Sequence, residues 1–318
     1  MGAQFTWTFD APTGVYKQHA LSTKLRNAAI AETKFMQFVT PEPGYGRKRG
    51  ENVTITRISN LTEPTNGRLT EGVRMPEDEL TLSTTSITVA EWGRSVPFTS
   101  FSEDLSEYNT ENIVQMKLRD QMKLVMDAAA AAEFTSSNAK IKYIPTGVAA
   151  GTFDTDGTAS TQAENNLNVF HVEEIRDQLF TTLNTPPFSG DDYIGLVSTK
   201  AKRGVMTDPA WEQWHRYTDP SNKFNSEIGR LENIRFIEIN NTNALSNALG
   251  LNSVLGEGVF FGADAVSMAV ALDPELRAEL AQDFGRKRSV AWYGILEFGV
   301  VWDTANAGEA RIVHLTSS

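Results

Sequence analysis

The 318-residue chain contains no cysteine and only four histidines. The first absence excludes disulfides, thiolate zinc sites, iron–sulfur clusters and a cysteine nucleophile. The histidines, His19, His171, His215 and His314, form no HxxxH or HExxH pair, so a compact histidine metal site has no local support. No apolar stretch is long enough to span a bilayer; the longest run, over 290–302, is interrupted by Glu297 and made of strand formers. The opening MGAQFTWTFD has neither a basic region nor an apolar core and is not expected to be a secretory signal. Phosphate-loop GxxxxGK[ST] spacing, a GxSxG elbow and a fixed internal repeat are also missing.

Apolar residues make up 40% and charged residues 22% of the chain, the proportions of a folded globular protein. With 29 basic against 40 acidic residues the net charge is -11, which disfavours nonspecific nucleic-acid binding by the whole surface. Residues 1–60 differ: eight basic against four acidic residues make them positive. Their sharpest feature is Arg47-Lys48-Arg49, bracketed by Gly46 and Gly50. This triplet is a candidate contact for nucleic-acid phosphate or for acidic residues of a partner subunit, against the plainer reading of a solvated turn. Tyr45 is the one aromatic beside it, which disfavours base stacking.

Residues 1–50 lack a persistent period. A short helix is expected over 22–40, carried by Leu25, Ala28, Ala29 and Phe35, before Pro41, Pro43, Gly44 and Gly46 break regular structure. The segment reads as an extended arm. Residues 52–95 read as two strands joined by a long excursion. Val53, Ile55 and Ile58 mark the outward strand, and Leu80, Leu82, Ile87, Val89 and Trp92 the return. A two-stranded ribbon is marginal alone and its edges invite another chain, so Leu80, Leu82, Ile87 and Val89 are candidate packing residues.

The clearest element spans 109–133, free of Pro and Gly, with Leu118, Met122, Val125, Ala129 and Ala132 on one stripe. It predicts a helix roughly 38 Å long. Leu118, Met122 and Val125 are its candidate core contacts. Further on, Val172, Ile175, Leu179 and Leu183 predict an amphipathic helix ending before Pro186. Asp208-Pro209 predicts a helix start, with Trp211, Trp214 and Tyr217 sharing a face. Strands are expected at 193–199, around Ile234, Phe236 and Ile237, at 258–261 and at 311–315. Helices are expected over 265–271 and from Asp273-Pro274, the latter turning Leu276 and Leu280 inward. Residues 289–303 carry apolar side chains on both faces and predict a central strand covered above and below.

Chemistry is scarce. The glycines of 256–262 miss GxGxxG spacing by one residue and precede a strand, so a turn explains them better than a nucleotide. Glu173-Glu174 and Asp191-Asp192 are neighbours that do not converge, Glu77-Asp78-Glu79 is expected to face solvent, and Asp154 with Asp156 lacks EF-hand spacing. His171, three residues before Glu174, reads as a cap or surface pair. No catalytic residue, metal ligand or cofactor site is nominated, and an enzyme is not expected.

The order of these elements resembles the Hong Kong 97 type fold of tailed-bacteriophage major capsid proteins. The wording GEGVFFGADAV at 256–266, Tyr293-Gly294-Ile295, and Ala310-Arg311-Ile312-Val313 is similar to the N-four-like phage capsid group. The resemblance implies an α+β fold with an N-arm at 1–50, an extended β-hairpin loop at 51–96, and a long spine helix with part of the peripheral domain at 97–164. A mainly axial domain would occupy 165–285, and C-terminal strands at 286–318 would complete the peripheral and axial core. It further implies self-assembly as hexamers and pentamers into an icosahedral shell around double-stranded DNA, without sequence-specific recognition, cofactor or membrane. Scaffold, portal and decoration proteins would be further partners. The location would be the virion capsid, assembled in the host bacterial cytoplasm. An encapsulin-like compartment shell is the alternative.

Overall fold

The computed structural model describes residues 29–42, 46, 48, 50–58, 61, 67–106, 108–136, 141–145, 153–154, 162–211, 227–302 and 310–317. The chain divides into two units, residues 1–30 and 31–318. In the second, a 3-10 turn at Phe35–Phe38 precedes β1 (Thr40–Pro41), β2 (Asn52–Ile58), β3 (Leu82–Thr88) and β4 (Ala90–Thr99). Helices α1 (Ser100–Leu105) and α2 (Thr110–Thr135) follow, then β5 (Ile141–Pro145), β6 (Phe153–Asp154), α3 (Val169–Asp177), β7 (Tyr193–Ser198) and α4 (Thr199–Thr207). The series closes with β8 (Glu227–Leu231), β9 (Ile234–Ile239), β10 (Gly258–Phe261), β11 (Val266–Ala278), β12 (Lys287–Val300) and β13 (Ile312–Leu315).

Helix α2 begins where Asn109 accepts the Asn112 N–H at 2.9 Å, a side-chain cap for an otherwise orphaned donor. Its 26 residues make it about 39 Å long. Leu118, Met126, Ala130, Ala131 and Phe134 are buried, while Met122 and Val125 pack at the margin of the same core. The small alanines let the strap of residues 31–42 lie close. Phe35 meets Phe134 at 5.6 Å between ring centroids, and Phe38 meets Phe261 edge-on at 5.5 Å. The strap then adds β1 in parallel to β11, pairing Thr40 with Ser267 and Pro41 with Met268.

Two larger sheets share this core. The four-stranded sheet runs β1-β11-β12-β4, so β1 and β4 are its opposite edges. The seven-stranded sheet runs β6-β5-β13-β10-β7-β9-β8. Strands β7, β10 and β13 at its centre are buried on both faces, which explains their continuous apolar runs. Ile194, Leu196, Ile237, Val259, Phe261 and Ile312 point towards α2 and the four-stranded sheet. The alternate residues Tyr193, Val197, Phe236, Phe260, Val313 and Leu315 pack against Val172, Ile175, Leu179, Leu183, Ala201 and Val205 of the 169–183 helical stretch and α4.

Several expectations need correction. Of the helix expected over 22–40, residues 22–28 lie outside the described residues, and 29–40 hold only the 3-10 turn. Residues 266–278 are one strand, not two helices, and Leu280 is exposed. Their pairing with β12 fixes this: register shifts between Val270, Leu272 and Glu275 absorb the Asp273-Pro274 step. Gly294 faces Pro274, where a Cβ would come within 3.0 Å of the proline Cα. The buried face of α2 is rotated from the expected stripe, because Ala132 is exposed and Met126, Ala130 and Phe134 point inward. Strand β12 is central in its sheet, yet only its even-numbered residues from Val290 to Val300 are buried; the odd-numbered face is half-exposed. Trp214 and Tyr217 lie outside the described residues, while Trp211 is buried against Phe236.

Candidate functional site

The polypeptide leaves the four-stranded sheet at β1, forms the separate β2–β3 ribbon, and returns to the opposite edge as β4. The ribbon is antiparallel and in continuous register from Asn52↔Thr88 to Ile58↔Leu82. The return strand thus ends at Thr88, and Trp92 belongs to β4, where its Nε1 donates to the Leu296 carbonyl at 3.0 Å. Alternation gives the ribbon two faces. Val53, Ile55, Arg57, Ser83, Thr85 and Ile87 line the inner one, and Thr54, Thr56, Ile58, Leu82, Thr84 and Ser86 the exposed one.

Two contacts fasten the inner face to the body, one near each end of the ladder. Ile87 sits over Gly299 of β12, where a Cβ would lie 2.7 Å from the isoleucine Cγ1. Arg57, 5% exposed, donates from Nη1 to the Val301 carbonyl at 3.3 Å. Of the four candidate ribbon residues, Ile87 is therefore buried in its own subunit and Val89 half-buried, while Leu80 and Leu82 are about 60% exposed. Past the ribbon every described residue of 67–82 is exposed, among them Leu69, Val73 and Met75. Charges of both signs accompany them, and Arg74 pairs with Glu77. Arg47 and Arg49 lie outside the described residues; Lys48 is exposed, with φ of 67°.

Polar groups in the interior act as fasteners, and composition and spacing alone did not single them out. Asp127 is fully buried on α2 and accepts the Phe35 N–H at 2.8 Å and the Met36 N–H at 3.4 Å, tying the strap down. Burial pushes its carboxyl above the ordinary range, against those backbone donors and Asn241. Its signal was an acid on the buried face of a helix. Asp192 joins Arg235 and Arg230, each at 2.7 Å. His314 and Glu257 meet at 2.7 Å although 57 residues apart. His171 caps α3 in a reciprocal box with Asn168, as its position suggested, but it is buried rather than superficial. His19, His215 and Asp156 lie outside the described residues, as does the side chain of Asp154.

A cavity of about 650 Å³ is lined by Asn166, Thr199, Lys200, Arg203, Gly204, Thr207 and Asn247, a set without an acid, thiol or imidazole. Among the described residues, no cluster of three metal-ligating side chains occurs, and no helix is long and apolar enough to cross a membrane.

The fold is that of phage capsid proteins. The capsid of Ralstonia phage GP4 matches with a TM-score of 0.68 at 16% identity, covering 98% of each chain. The capsid of Helicobacter pylori bacteriophage KHP30 matches at 0.71 and 12% identity over 96% of each. That of cyanophage P-SCSP1u gives 0.66 and 12%, over 95% of this chain and 93% of the other. No sequence-family model and no curated protein matches.

Proposed function

We propose that this chain is the major capsid protein of a tailed bacteriophage, related to the N-four-like group, and builds an icosahedral shell of hexamers and pentamers around double-stranded DNA. The observation that carries the reading is the exposed loop beyond the ribbon. Over residues 67–82 the chain exposes Leu69, Val73, Met75, Leu80 and Leu82, for which its own subunit offers no cover. Burying them on a neighbouring subunit stabilises both the loop and the contact. Residues 51–96 then act as the extended loop, α2 as the spine, and the seven-stranded sheet with its helices as the axial body. Arg47, Lys48 and Arg49 are candidate contacts to an adjoining subunit or to packaged DNA. The work is mechanical enclosure and needs no turnover. Scaffold, portal and decoration proteins would complete the particle in the host cytoplasm.

The structural matches named above are phage capsids and do not favour an encapsulin-like compartment, and cargo would separate the two. Electron microscopy of particles purified from the native source should show closed icosahedral shells containing DNA; protein cargo would favour the compartment. A stable monomer at high concentration, with residues 67–82 protected from protease, would overturn both.

A further inference from the structure

The turn between β11 and β12 makes a tip with α1. Gln282 bridges to Lys287, the Ser100 N–H donates to the Arg286 carbonyl at 3.0 Å, and Arg288 meets Glu103 at 3.3 Å. Four large apolar side chains stand out there: Phe284 is 106% exposed, Leu280 90%, Phe101 74% and Leu105 71%. Single exposed apolar residues are ordinary, but a cluster including a phenylalanine with no cover marks a contact surface. The backbone holds that ring outward at some cost. Asp283 and Phe284 have φ of 50° and 54°, a left-handed conformation that a bulky residue adopts rarely.

Beside the projecting ring lies a hollow of about 250 Å³ lined by Thr99, Ser100, Phe101, Asp283, Arg286 and Lys287. A cavity of about 150 Å³ already admits benzene, so the hollow has room for one phenyl ring. Its chemistry suits one as well. Phe101 offers an aromatic edge, and Arg286 and Lys287 offer cations to a ring face. Phe284, fully exposed, does not fill the hollow of its own chain. The charges at the tip are mixed, with Glu103, Asp104, Glu279 and Asp283 against Arg286, Lys287 and Arg288. One tip therefore meets another without the repulsion expected between bodies of net charge -11.

We propose that Phe284 of one copy seats in the tip hollow of the next. Knob and hole lie side by side on one surface, so the junction joins unlike residues of two copies, reciprocally in a pair or successively around a ring. The inference rests on the capsid reading and adds a specific subunit junction to it.

The absence of cysteine makes the test clean. Two singly substituted chains that keep Phe284, Gln282→Cys beside the ring and Ser100→Cys in the hollow, are co-expressed, allowed to assemble and treated with a short bis-maleimide linker. Covalent dimers are expected in the mixture and not in either variant alone. No dimer in the mixture overturns the junction, as does equal dimerisation of Gln282→Cys by itself, which would mean knob on knob. Electron microscopy of the same samples separates the two claims: shells without dimers refute the junction alone, and absence of both refutes the capsid reading too. Phe284→Ala should keep its melting temperature while the assembled fraction falls about tenfold or more; unchanged assembly would also overturn the junction.

Discussion

Replacing Asp127 with alanine tests whether one carboxylate fastens the strap to α2. The substitution leaves the Phe35 N–H, now bonded at 2.8 Å, and the Met36 N–H, at 3.4 Å, without their acceptor in a dry site. One well-formed and one marginal bond together contribute about 2 kcal/mol. That corresponds to about thirtyfold in the equilibrium for local opening. Hydrogen exchange should therefore quicken about thirtyfold at residues 35–38, with the buried stretch 126–134 much less affected. Asp127→Asn separates charge from bonding. Because burial raises the folded value above the ordinary 3.8, the carboxyl stabilises fully at acid pH and loses that contribution as pH rises through its raised value. The asparagine variant lacks this dependence, so wild type should lose stability relative to it as pH rises above the ordinary carboxylate range. Exchange at 35–38 no faster than in a control Asp120→Ala, or a pH trend of opposite sign, would refute the reasoning.

Other perturbations follow the same logic. Gly262→Ala drives a Cβ into the Pro186 carbonyl oxygen and the Thr185 methyl, and should cost about 1–3 kcal/mol in thermal unfolding, whereas Gly67→Ala, with nothing within 4 Å, should be neutral. Asp192→Asn leaves Arg235, whose side chain is 15% exposed, without its counter-charge. It should lower stability by about 2 kcal/mol, discounted for the half-exposed Arg230, and Asp191→Asn should change little. Arg57→Ala removes the bond to Val301 and the packing of its stem, so limited proteolysis within residues 50–90 should accelerate about tenfold.

Elements governed by local chemistry were legible from the sequence. Helix α2 was readable because 26 residues run without a breaker behind an asparagine cap. The ribbon was readable because Val53 and Ile55 alternate with polar residues before a segment too poor in apolar residues to fold alone. Strand β11 was not. Ala265, Ala269 and Ala271 favour helix, and Asp273-Pro274 imitates a helix start, but ten pairs with β12 outweigh both. The facing Gly294 that accommodates Pro274 lies twenty residues away and gives no local sign of its role. The same limit hid the meeting of His314 with Glu257, which only the pairing of β13 with β10 creates. At the candidate surface, Leu80 and Leu82 are exposed. The inward turn of Ile87 depended on the missing side chain at Gly299, which no periodicity records.

The ribbon is slung from both margins of one sheet, and this determines how force would travel. A pull on its tip first loads the Arg57–Val301 and Ile87–Gly299 contacts, and then divides between the short parallel strand at Thr40–Pro41 and the ten-residue ladder of β4 with β12. The shorter attachment has far fewer bonds in the load path, so it yields first while the longer one keeps the body intact. Under tension, slack would be released from the amino-terminal side before the four-stranded sheet is breached. Single-molecule extension of the chain should register that release as a small early step.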